Sequence, residues 1–87
     1  MVLGKYDKIY LKIMEDPYHA DLDFKEVKTF LEKLGFEYRK HKRNGTSHNI
    51  FIHPNYKGIL NIPTKHGRHV KGVYIKMIRE ALIEMDM

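Results

Sequence analysis

Residues 36–72 hold five histidines, His41, His48, His53, His66 and His69. The same stretch holds Arg39, Lys40, Lys42, Arg43, Lys57, Lys65, Arg68 and Lys71, with Glu37 as its one acid, a local charge of +7. Imidazole titrates at about pH 6.5, so it can take or give a proton at cellular pH. Lysine and arginine can hold developing negative charge without a metal. The two residue types together suit proton transfer beside an anion. His48 stands where the small residues of "NGTS" pass into the strand-like "HNIFIH". It is either a polar decoration on a hairpin or a group placed to move protons. Residue type alone does not select it over the other four.

The surrounding residues carry two readings each. Lys40, Lys42 and Arg43 precede His48 in the hairpin, close enough to meet the same phosphate, or they solvate a turn. Lys65, Arg68 and Lys71 form a second basic group before the last helix. Two residues separate His66 from His69, which invites a zinc site. No cysteine and no evident third ligand accompany the pair, so neither metal nor cofactor is expected. Tyr38, Phe51 and Tyr56 can stack on bases or pack a core.

These groups need elements to hold them. Tyr6, Ile9, Tyr10, Ile13 and Met14 follow helical spacing, predicting a helix over residues 4–14 that Pro17 stops. A second helix is predicted over 24–34, with Asp23 as N-cap and Glu26 completing a capping box. Leu22 and Val27 are the staple pair, and Gly35 ends the helix in a left-handed conformation. "FEYRKH", "HNIFIH" and "GILNIP" read as strands, the first two joined through Asn44-Gly45 in "KRNGTS". Short connections make the sheet an antiparallel meander. Tyr74, Ile75, Ile78, Ala81, Leu82 and Met85 predict a closing helix from Gly72 or Val73. The class is α+β.

Eighty-seven residues, 43% of them hydrophobic, bound this to one domain, 1–87, with a packed core. The absence of cysteine fits a reducing cytoplasm. No apolar run approaches the roughly 20 residues of a membrane span, and "MVLGKYDKIYLKIMEDP" is too charged for a signal peptide. The net charge of +5 comes from the middle of the chain, since residues 1–35 and 73–87 each sum to −1. A basic middle between near-neutral ends suits a polyanion partner, with RNA, DNA and acidic protein all admissible.

"LGFEYRKHKRNGTSHNIFIHP", "LNIPTKHGRHVKG" and "IKMIREAL" resemble the HicA toxin family of toxin–antitoxin pairs, over residues 22 to 83. The most specific part is Gly-Phe after a helix, then a basic stretch, then Gly/Ser-His entering the second strand. Where the family commonly reads Gly-Ser-His, this chain reads Gly45-Thr46-Ser47-His48. The resemblance implies a double-stranded-RNA-binding-domain-like order, α-β-β-β-α, with residues 22–87 as core and 1–21 as an N-terminal helical extension. It implies an endoribonuclease that cleaves mRNA in the cytoplasm, with a HicB-like antitoxin as partner. It also implies that His48 is catalytic, that Gly45, Thr46 and Ser47 form the turn that positions it, and that the two basic groups bind RNA.

RNA carries its own nucleophile, the 2′-hydroxyl. Cleavage needs that proton removed, phosphate charge neutralised and the leaving 5′-oxygen protonated. The second proton-transfer group is open between His41, His53 and a lysine. A non-catalytic RNA-binding module, or a small protein whose basic face meets an acidic partner, would use the same patch. Strand parity leaves two placements. If Ile50 and Ile52 face the helices, His48 starts an inward face. If Phe51 faces them, His48 lies on the open face beside two isoleucines that then need covering.

Overall fold

The structure, a computed structural model, describes residues 4–43, 46–64 and 69–87, with the side chains of Lys42, Arg43 and Thr46 left aside. Helix α1 spans Lys5–Glu15 and a 3₁₀ turn Pro17–His19 follows. Helix α2 spans Phe24–Lys33, the strands are β1 Glu37–Arg43, β2 Thr46–Ile52 and β3 Leu60–Thr64, and α3 spans Gly72–Glu84. The strands form one antiparallel sheet in the order β1-β2-β3. The expected α-β-β-β-α order, with an additional N-terminal helix, is the observed one.

Each end of α2 has a local cause. Asp23 Oδ1 accepts the Lys25 backbone N–H at 2.8 Å, so the cap bond falls one residue earlier than the anticipated box to Glu26. Leu22 and Val27 are buried together as the staple requires. At the other end Gly35 takes φ +102°, a conformation that strains any side-chain-bearing residue. Phe36 N–H then reaches Leu31 O at 3.0 Å and Gly35 N–H reaches Glu32 O at 3.1 Å. This pair of reverse bonds ends the helix and aims Phe36 into the core.

All three helices lie on one side of the sheet: α2 against β1, α3 against β3, and α1 against both helices. The sheet contributes Phe51, Leu60 and Ile62 to the core, each at most 1% exposed. Burying each such side chain is worth about 1.5–3 kcal/mol. Phe24 extends the aromatic packing from α2 onto Tyr38 and Phe51, with ring centroids 6.3 Å away in both cases. Helix α1 adds Ile9 and Ile13 to this layer. Two polar contacts tie it to the C-terminal helix: Tyr10 Oη donates to Met87 O and Arg79 Nε to Met14 O, each at 3.0 Å. A helix of this length does not persist alone in water, so this docking is what holds it.

The first two strands run further toward the hairpin than the sequence suggests. Pairing continues to Arg43 opposite Thr46, so Thr46 and Ser47 belong to β2 rather than to a turn. Residues 44 and 45 connect the strands, and Gly45 lies outside the described residues.

Candidate nucleic-acid interface and proton-transfer site

The burial of Phe51 settles strand parity. Residues directly opposite one another across a sheet share a face. Tyr38, Phe51 and Leu60 therefore share the helix-covered face, and so do Asn49 and Ile62. His48 is the third residue of β2 and lies on the other face, which no described helix covers. Its direct neighbours across the sheet are His41 on β1 and Pro63 on β3. Ile50 follows on the same face, between Arg39 and Asn61, and Ile52 lies opposite Glu37. His48, Ile50, Ile52 and Pro63 are half-buried, while His41, Arg39 and Asn61 are exposed.

The register that brings His41 to His48 is pinned from the opposite side. Asn49 is 2% exposed and bridges all three strands. Its Oδ1 accepts the Tyr38 hydroxyl at 2.7 Å, and its Nδ2 donates to Ile62 O at 2.9 Å and to Thr64 Oγ1 at 3.1 Å. A slip of one residue would turn every side chain of β2 to the wrong face. It would also bury His48 and strand the Asn49 amide among apolar groups.

His53, one of the three suggestions for a second proton-transfer group, is structural. It is 6% exposed and both ring nitrogens are engaged. Nε2 contacts Leu34 O at 3.0 Å, and Nδ1 contacts the Asn55 backbone N–H at 3.0 Å. A carbonyl only accepts and an amide N–H only donates, so the ring donates through Nε2 and accepts through Nδ1. Phe36 packs edge-on against it, with centroids 4.9 Å apart. His53 thus braces the α2–β1 corner against the end of β2.

The basic residues divide. Lys40 is exposed but shares strand parity with Tyr38 and Asn49, so it does not join His48 on one face as its position in sequence suggests. Its near neighbours Arg39 and His41 do, by the alternation of an extended strand. The side chains of Lys42, Arg43 and Thr46 lie outside the described residues, as do Lys65, Arg68 and His66 altogether. Lys71 is exposed at the N-cap of α3. The return of the chain from the second basic stretch is fastened by Val70 N–H to Leu22 O at 3.1 Å and by His69 Nε2 to the Asp21 carboxylate. His69 is thereby committed to Asp21. Phe51 and Tyr38 belong to the core-side aromatic group and do not offer faces for base stacking.

Arg39 has one partner of its own. Its Nη2 lies 3.4–3.5 Å from the Glu37 carboxylate, and both side chains are about two-thirds exposed. An exposed pair of this kind contributes at most about 1 kcal/mol and yields readily to a stronger anion. Arg39 and the imidazoles therefore stand on one face with Ile50 and Ile52, an arrangement able to meet a phosphate backbone.

Among the described residues no helix is long and apolar enough to cross a membrane. A three-stranded sheet with helices on one side and a histidine-bearing face on the other makes this an α+β protein with the α-β-β-β-α order of double-stranded-RNA-binding domains. The family model described as the HicA toxin of bacterial toxin–antitoxin systems matches residues 24–84, and the chain belongs to that family. It is a toxin of a toxin–antitoxin pair, broadly an mRNA interferase, with RNA as its substrate and an antitoxin as its partner. Helix α1 lies outside the matched residues. Comparison with curated proteins matched none, and comparison with solved structures matched none.

Proposed function

We propose that this chain is an endoribonuclease that cleaves mRNA by metal-independent acid–base chemistry centred on His48. A cognate HicB-like antitoxin neutralises it by covering the same sheet face. The observation that carries the reading is the position of His48 on the face turned away from the helices, within reach of a long polyanion. A phosphate backbone needs no enclosed pocket; it needs an accessible strip with cations along it. Base removal of the 2′-hydroxyl proton lets the 2′-oxygen bond to phosphorus. The phosphorus–5′-oxygen bond then breaks as that oxygen takes up a proton. The products are a 2′,3′-cyclic phosphate and a 5′-hydroxyl. Arg39 neutralises charge at phosphorus, joined by Lys42, Arg43, Lys65, Arg68 and Lys71 along the bound strand. The half-buried Ile50 and Ile52 give an antitoxin an apolar strip to cover, and doing so excludes RNA.

The test is incubation of a long RNA with purified protein and EDTA, beside His48→Ala. Fragmentation by the wild type alone supports the enzyme. Equal binding by both without fragmentation identifies an RNA-binding module instead. Expression of the wild-type chain is expected to arrest growth, and co-expression of the adjacent antitoxin gene to relieve it.

A further inference from the structure

We infer that His41 is the second proton-transfer group of the cleavage reaction, acting with His48 on one phosphate; this rests on the reading of His48 as catalytic. The reaction moves two protons on opposite sides of a single phosphorus. One leaves the attacking 2′-oxygen and one arrives at the departing 5′-oxygen. A concerted step needs a base and an acid in place together, and one imidazole cannot be both at once.

The described side chains of the open face offer few groups for the second task. A guanidinium group is neither an acid nor a base in protein catalysis of this kind, so Arg39 serves to neutralise charge and not to exchange a proton. Pro63 and Asn61 have no titratable proton. Glu37 is two strand positions beyond Arg39, opposite Ile52, and pairs with Arg39. Lys40 has the opposite strand parity, and both nitrogens of His53 are consumed inside the fold. His41 is directly opposite His48, and it is exposed. Opposed residues in an antiparallel pair have Cβ atoms about 5 Å apart. Two imidazoles rooted that close can flank one phosphate, each ring meeting one of its in-line oxygens. Asn49 holds the register that makes the pair, so the pairing is built into the sheet rather than left to a mobile loop.

The experiment uses full-length protein, His41→Gln and His48→Gln, with circular dichroism melts to establish that each is folded. The principal cut made by the wild type in a test RNA is mapped first. The RNA is then remade with sulfur in place of the 5′-bridging oxygen at that linkage. Thiolate departs without protonation, so this substrate needs no acid. Both variants are expected to lose about 10²–10⁴-fold on the oxygen linkage. One of the two, and only one, should approach the wild-type rate on the sulfur linkage; a residue that merely positions its neighbour gives no such rescue. His41→Gln cutting the oxygen linkage within about threefold of wild type, while His48→Gln is inactive, overturns the role of His41 and leaves that of His48 standing. Loss in both variants with rescue of neither, or of both, also overturns it. Full activity of His48→Gln overturns the underlying reading itself.

Discussion

The Tyr38 hydroxyl donates to Asn49 Oδ1 at 2.7 Å, across the β1–β2 pair and on the side of the sheet away from His48. A single amide therefore fixes which residues of β1 stand opposite which residues of β2. The same amide reaches β3 through Ile62 O and Thr64 Oγ1. The proposed chemistry lies on one surface and its alignment is set on the other.

Asn49→Ala should accordingly cost about 1–3 kcal/mol, because its removal leaves buried partners without hydrogen bonds. Urea unfolding measures this. Cleavage should fall in the fraction that remains folded, since the strand pairing that places His48 is loosened. A variant with unchanged stability would mean that the amide does not hold the register.

His53 gives a contrasting expectation. His53→Gln should lower stability, because the bonds to Leu34 and Asn55 are inside the fold. Cleavage per folded molecule should stay near wild type. Gly35→Ala should do the same by another route. It places a methyl group in a φ +102° backbone, 3.1 Å from His53 Nε2, at a cost of about 1–3 kcal/mol. Thermal melts paired with rates at a temperature where each variant is folded separate stability from chemistry.

Ile13 in α1 is fully buried. Ile13→Ala should destabilise by about 2–5 kcal/mol, the range for truncating a packed side chain of that size. Its effect on RNA affinity should be nil once folding is accounted for, because α1 lies in the helix layer. Equilibrium denaturation and RNA binding at low temperature check the two halves of this statement.

Glu37 is the one acid among residues 36–72 and pairs with Arg39. Glu37→Gln should tighten RNA binding by up to about fivefold at low salt, by freeing the guanidinium and removing a like charge from the path of the phosphates. The gain should shrink as salt is raised. Filter binding across a salt series measures it, and weaker binding by the variant would place the RNA path elsewhere.

Much of the architecture was legible from local chemistry. Asp23, Leu22 and Val27 marked the start of α2, and Gly35 its end, because caps and left-handed turns depend on neighbours within a few residues. The alternation of polar and apolar residues marked the strands. Their lengths near the hairpin exceed what the pattern implies, since small and basic residues there read as turn until pairing partners are known. The partnership of His41 with His48 was within reach. A two-residue Asn44-Gly45 connection pairs 43 with 46 and, two steps along each strand, 41 with 48.

What the chain alone determined, then, is the inventory: a basic middle rich in imidazole, a helix–meander–helix order, and a family whose members act on RNA. Which histidine is presented and which is enclosed was decided only in three dimensions. His48 and His53 lie in or beside one strand and differ in parity and in distance from the helix corner. Sequence spacing cannot say which face of a two-sided strand is buried until another element covers it. Packing of α2 on Phe51 made that choice, and it turned His48 outward while Leu34 and Asn55 took up His53.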